Sequence, residues 1–85
     1  MNQFDKAVAR LRSLPKDYTY SEARNLLKRL GFIEYQKGKT SGSRVMLYRT
    51  DDGFTILLHK PHPGDEMSAG ATRALKDALE RSGDI

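Results

Sequence analysis

The chain has no cysteine among its 85 residues, so neither a disulfide nor a thiolate metal site can supplement its core. At this length one domain is expected, near the lower end of sizes that fold without such staples. The same absence suits a reducing cytoplasm. No apolar run is long enough to span a bilayer, and the first residues lack the apolar block of a secretory signal. The expectation is therefore a soluble, cytoplasmic protein with no membrane association. No internal repeat or low-complexity domain is evident. The glycine-containing stretch Lys37-Gly38-Lys39-Thr40-Ser41-Gly42-Ser43 lacks the full phosphate-binding motif of a nucleoside triphosphatase.

What is present is an uneven charge. The formal net charge is +4, but Arg24 to Arg49 holds seven Lys or Arg residues against one acid, Glu34. From Thr50 to the end, four bases face seven acids. A basic centre beside a more acidic C-terminal part points to a polyanionic partner, although a charge run also serves as ordinary solvated surface.

Hydrophobic periodicity gives the elements. Phe4, Ala7, Val8, Leu11 and Leu14 recur on one side of a helical wheel, and Pro15 stops the helix, which is expected over about residues 3 to 13. A second helix carries Ala23, Leu26, Leu27 and Leu30 on one side. Its start falls at Thr19, with Glu22 at capping-box spacing, or at Ser21, and Gly31 suits a left-handed C-cap. Three strand candidates follow: Phe32 to Lys37, Val45 to Tyr48 and Phe54 to His59, the last two joined through Asp51-Asp52-Gly53. Strand parity groups Val45, Leu47 and Arg49 against Arg44, Met46 and Tyr48. It likewise groups Phe54, Ile56 and Leu58, expected to meet the helices, against Thr55, Leu57 and His59. Lys60-Pro61-His62-Pro63-Gly64 is a stiff exit from the sheet. Asp65 or Ser68 then caps a last helix whose inner stripe is Met67, Ala71, Ala74, Leu75, Ala78 and Leu79, ended by Gly83.

The candidate chemistry centres on the two histidines, His59 and His62, since imidazole is the side chain that titrates near neutrality. One can remove a proton from an RNA 2′-hydroxyl while an acid protonates the departing 5′-oxygen. Arg44, Lys60 or an amide of the donor-rich loop can stabilise charge developing on the phosphate. Lys37, Lys39, Ser43 and Arg49 extend the candidate phosphate-binding set, and Tyr35 and Tyr48 can stack on bases. Each of these residues also has a plain structural reading, as strand end, loop surface or packing at the rim. Two nearby histidines without cysteine do not make a closed zinc site, and no metal or other cofactor is expected.

Three segments in order carry a family resemblance. They are Tyr20-Ser21-Glu22-Ala23-Arg24-Asn25-Leu26-Leu27-Lys28-Arg29-Leu30-Gly31-Phe32, then Gly42-Ser43-Arg44, then His62-Pro63-Gly64-Asp65-Glu66-Met67-Ser68-Ala69-Gly70-Ala71. Together they resemble the HicA/YcfA family of toxin ribonucleases over roughly Thr19 to Gly83. The resemblance implies an α+β fold, a double-stranded-RNA-binding-like α-β-β-β-α core with a three-stranded antiparallel sheet, here with an extra N-terminal helix. Residues 1–18 would be that helical extension and residues 19–85 the core, together one domain.

The resemblance also implies the toxin of a type II toxin-antitoxin pair: a metal-independent endoribonuclease that cleaves messenger RNA, inhibits translation and is neutralised by a HicB-like antitoxin. The histidine that the family places after Gly-Ser is Arg44 in this chain. A guanidinium stays protonated and cannot act as general base. Catalysis is therefore expected to centre on His59 or His62 with Arg44 on phosphate. The alternatives are a catalytically silent RNA-binding or antitoxin-binding domain, or an inactivated form.

Overall fold

The computed structural model describes residues 2–35, 44–61 and 63–85. Helices α1 (Gln3–Arg12) and α2 (Tyr20–Arg29) lead into strands β1 (Ile33–Tyr35), β2 (Arg44–Tyr48) and β3 (Thr55–His59), and α3 (Ala69–Arg81) closes the order. The strands form one antiparallel sheet in the order β1-β2-β3. This is the expected α-β-β-β-α arrangement preceded by a helix.

Local chemistry sets the boundaries. The Asn2 side chain accepts from the Asp5 amide at 2.7 Å to open α1. Thr19, not Ser21, opens α2. Its hydroxyl accepts from the Glu22 amide at 3.1 Å, and the Glu22 carboxylate takes the Thr19 amide at 2.9 Å, a reciprocal capping box. At the other end the Gly31 amide donates to the Lys28 carbonyl and the Phe32 amide to the Leu27 carbonyl. That 5→2 and 6→1 pair is a Schellman motif, and it needs the left-handed φ of +92° that Gly31 supplies. The same pattern recurs after α3, where the Gly83 and Asp84 amides bond the Glu80 and Leu79 carbonyls.

Ser68 caps α3 by accepting from the Ala71 amide. Asp65 serves a different helix. Its carbonyl takes the Tyr20 amide at 2.7 Å and its carboxylate the Ser21 amide at 3.2 Å, so it satisfies free donors at the start of α2. The Met67 amide also donates to the Tyr18 carbonyl, tying the segment before α3 to the segment before α2.

The helices cover one face of the sheet. Val45 and Leu47 from β2 and Ile56 and Leu58 from β3 are buried with Leu26, Leu27, Leu75 and Leu79, and Phe54 packs partly buried beside them. Leu11 of α1 lies fully buried in the same core. Two assignments on α3 differ from the sequence reading: Met67 is buried but precedes the Ser68 cap and so lies outside the helix, and Ala74 is exposed while Thr72 is buried in the inner stripe. Thr72 is tolerated there because its hydroxyl donates back to the Ser68 carbonyl at 3.0 Å, leaving no polar group unsatisfied.

Candidate functional site

The sheet face away from the helices is built by register. Arg44 pairs with His59, Tyr35 with Met46 and Met46 with Leu57, and Ile33 with Tyr48 and Tyr48 with Thr55. Directly opposed residues in an antiparallel ladder point to the same side. The outward face therefore consists of three rows: Arg44 and His59; then Tyr35, Met46 and Leu57; then Ile33, Tyr48 and Thr55. Arg44 and His59 are both exposed, as are Tyr35, Ile33 and Leu57, at 47%, 49% and 66%. A shallow cavity of about 430 Å³ lies along this face, with Tyr35, Met46, Tyr48 and Thr55 in its lining.

The β2–β3 connection sets this register. The Arg49 amide bonds the Phe54 carbonyl and the Gly53 amide bonds the Arg49 carbonyl, enclosing Thr50, Asp51, Asp52 and Gly53 as the loop. Counting outward from the Arg49–Phe54 pair brings Arg44 opposite His59 at the far end of the hairpin. Lys60 follows immediately and is exposed. Among the described residues, Arg44 and Lys60 take part in no ion pair. The expected site residues Lys37, Lys39, Ser43 and His62 lie outside the described residues.

Arg49, expected among the phosphate-binding residues, is committed elsewhere. It continues the inward parity of Val45 and Leu47, and only 9% of it is exposed. Its guanidinium donates to both Asp84 carboxylate oxygens at 3.0 and 2.9 Å, to Asp52 at 3.1 and 2.8 Å and to the Leu30 carbonyl at 3.0 Å. It also sits 4.5 Å from the Phe32 ring centroid. These partners raise the guanidinium further above its already high range, while the hydrogen bonds from Arg49 hold Asp52 and Asp84 below the usual carboxylate range. Arg49 thus joins the C-terminal ends of α2 and α3 to the hairpin turn and presents no open charge to a ligand. The signals in the sequence were its parity with Val45 and Leu47 and the acids at 52 and 84.

A second cavity, of about 400 Å³, lies between α1 and α2. Its Arg10 is held by Glu22 and Asp17 and spans the Tyr18 ring, so its charge is spent on fixing α1. Burial pushes the Tyr18 hydroxyl up to about 12, which keeps it neutral. Among the described residues, no group of three or more His, Asp or Glu could hold a metal ion, and no helix is long and apolar enough to cross a membrane.

Comparison with protein families adds a match over most of this architecture. A family model described as "HicA toxin of bacterial toxin-antitoxin" matches residues 20–83. The chain belongs to the HicA toxin family. The match runs from the first residue of α2 through β1, β2, β3 and α3 to Gly83, and α1 lies before it. Neither a curated protein nor a solved structure gives a significant match. Within this HicA chain, Arg44 and His59 are the described candidate residues that meet on the open sheet face, and Lys60 follows His59 in sequence at the same end of the sheet.

Proposed function

We propose that the protein is the toxin of a type II toxin-antitoxin pair, a metal-independent endoribonuclease that cleaves messenger RNA in the cytoplasm and is neutralised by a HicB-like antitoxin. Its α2-β1-β2-β3-α3 core is read as the double-stranded-RNA-binding-like fold, with α1 as an extension. The observation that carries the chemistry is the cross-strand pairing of Arg44 with His59 on the open face of a HicA-family sheet. A permanently charged donor group and an imidazole share one edge, with Lys60 next in sequence.

In this mechanism one imidazole, of His59 or His62, accepts the proton of a ribose 2′-hydroxyl. The 2′-oxygen attacks the adjacent phosphorus. The bond to the 5′-oxygen of the next nucleotide breaks, and the second imidazole gives that oxygen its proton. The products are a 2′,3′-cyclic phosphate and a free 5′-hydroxyl, with no redox change and no metal. Arg44 and Lys60 stabilise the negative charge that grows on the phosphoryl oxygens, and Lys37, Lys39 and Ser43 are assigned to the neighbouring backbone. Arg49 is left out of this set because its donors are occupied.

Arg44 stands where the family resemblance expects a histidine, and that favours one second reading: a catalytically silent module that binds RNA or antitoxin. The two separate on a defined RNA in EDTA beside the same RNA with a single 2′-deoxy linkage at the cut. The toxin cuts the first to a cyclic phosphate and leaves the second intact. A silent module cuts neither, whether it binds RNA or only antitoxin.

A further inference from the structure

Resting on the reading of the chain as an RNA-cleaving toxin, we propose that the open sheet face is a platform for single-stranded RNA. The phosphate at the Arg44–His59 row is the one to be cut. An unpaired base of an adjoining nucleotide lies on Tyr35, Met46 and Leu57, and a further base on Tyr48.

The charge on the face suits a polyanion. Among the described residues the eight outward positions, Ile33, Tyr35, Arg44, Met46, Tyr48, Thr55, Leu57 and His59, include no carboxylate, although the chain has 11 acids. The nearest acid on β1, Glu34, turns to the helix side, where it accepts from the Tyr20 hydroxyl at 2.5 Å and faces Arg24 at 3.9 Å. The Asp51-Asp52 turn lies at the opposite end of the hairpin from Arg44, and Asp52 is neutralised by Arg49. A polyanion therefore meets cationic character at one end and no carboxylate among the described strand positions of the face, with Asp51 and Asp52 confined to the turn at its far end. A protein partner selected for an apolar patch would not require this one-sided exclusion of acids.

The shape of the face points the same way. Beyond the Arg44–His59 row come two rows with an exposed or half-exposed tyrosine in each, about 6.6 Å apart along the strands. The cavity beside these rows is lined by Tyr35, Met46, Tyr48 and Thr55 and continues to Thr50 and Gly53 at the turn end of the face. Aromatic and apolar side chains on an open sheet give π faces and thioether contact to bases of any identity, but only when those bases are unpaired and splayed from the strand. A duplex hides its base faces in its own stack and would meet this surface with sugar and phosphate alone. The face thus selects single-stranded stretches of RNA for the cutting row.

The test uses the full-length protein and a short 2′-O-methyl RNA single strand, which cannot be cleaved through its 2′-oxygen, with 2-aminopurine in place of one base. Wild-type protein is expected to quench the 2-aminopurine fluorescence and to bind the single strand at least about tenfold more tightly than the matching duplex. Tyr35→Ala and Leu57→Ser should each weaken single-strand binding about five- to tenfold, and Tyr35→Phe should restore it. Both sites are exposed, and matched denaturation curves establish that the variants fold. Equal binding by wild type and Tyr35→Ala, or preference for the duplex, overturns the platform while leaving an RNA-binding toxin intact. No binding of either RNA by the wild type overturns both readings. Self-association in sedimentation that Leu57→Lys abolishes also overturns the platform, because the face would then be an interface between copies of the chain.

Discussion

Arg44 and His59 face each other across the last rung of the β2–β3 ladder, on the side of the sheet that the helices leave open. Opposed residues in such a ladder have Cα atoms about 4.5–5.5 Å apart, so one phosphate can meet both side chains. This rung links the hairpin's register to the proposed chemistry, and a one-residue slip of either strand would turn its member of the pair to the helix side and separate the two.

Salt dependence should separate the charges that meet RNA from the one that holds the fold. For a single strand, each phosphate neutralised by the protein adds roughly 0.7 to the steepness of log K against log salt. Arg44→Ala and Lys60→Ala are each expected to reduce the steepness by about that much. Arg49→Met, measured where it remains folded, is expected to leave the slope unchanged. Binding titrations at several salt concentrations check all three.

Arg49→Met should instead cost stability, roughly 2–3 kcal/mol, because it takes both guanidinium bonds from the Asp84 carboxylate, which keeps only the Ser82 hydroxyl, and removes the guanidinium donor of the Leu30 carbonyl. The pH profile carries the same signature. Asp52 and Asp84 are held below their ordinary values in the folded state, so the unfolded chain binds protons first as the pH falls. Their contribution is full above the ordinary carboxylate range, near 4, and disappears as acid titrates the folded carboxylates. Denaturation curves between pH 7 and 2 should show this acid loss in the wild type and a shallower loss in Arg49→Met.

The N-terminal helix should matter to stability and not to the chemistry. Leu11 is fully buried in the common core, and Leu11→Ala is expected to cost about 2–4 kcal/mol. Cleavage per folded molecule should stay within twofold of wild type, since α1 packs against α2 and α3, away from the open face. Urea titration and an activity assay on the folded fraction check both parts.

The helix termini offer a sharper local test. Thr19→Ala removes the capping hydroxyl of α2 and should cost about 1 kcal/mol. Gly31→Ala forces a Cβ into a left-handed conformation, with Arg49 Cδ 3.5 Å away, and should cost about 1–2 kcal/mol. Thermal or urea unfolding at pH 7 reads both.

These residues also show what the sequence could and could not convey. The capping box at Thr19, the glycine stops and the alternation of β3 are local patterns, and each fixes its element without knowledge of the rest of the chain. His59 emerges opposite the helices because Ile56 and Leu58 must be buried, which parity alone dictates. Asp65 was legible as a cap, but whether it serves α3 or α2 depends on a contact with Ser21 across 44 positions. Arg49 is the same case in reverse. An arginine at a strand end reads as surface until two helix ends bring Leu30 and Asp84 around it. The pairing of Arg44 with His59 required the loop between Arg49 and Phe54 to be counted, and sequence offers several turn lengths there. Lys37, Lys39, Ser43 and His62 are candidates on residue chemistry alone, since they lie outside the described residues.

The measurement that bears most directly on the account is cleavage of one defined RNA in EDTA by partner-free wild-type protein, beside folded His59→Ala, His62→Ala and Arg44→Ala variants. The account predicts metal-independent cutting by the wild type and loss of at least about a hundredfold in rate on removal of an essential imidazole, with RNA binding retained. Arg44→Ala should weaken both binding and rate. Undiminished cutting by both histidine variants, or RNA binding by the wild type without any cutting, would contradict it.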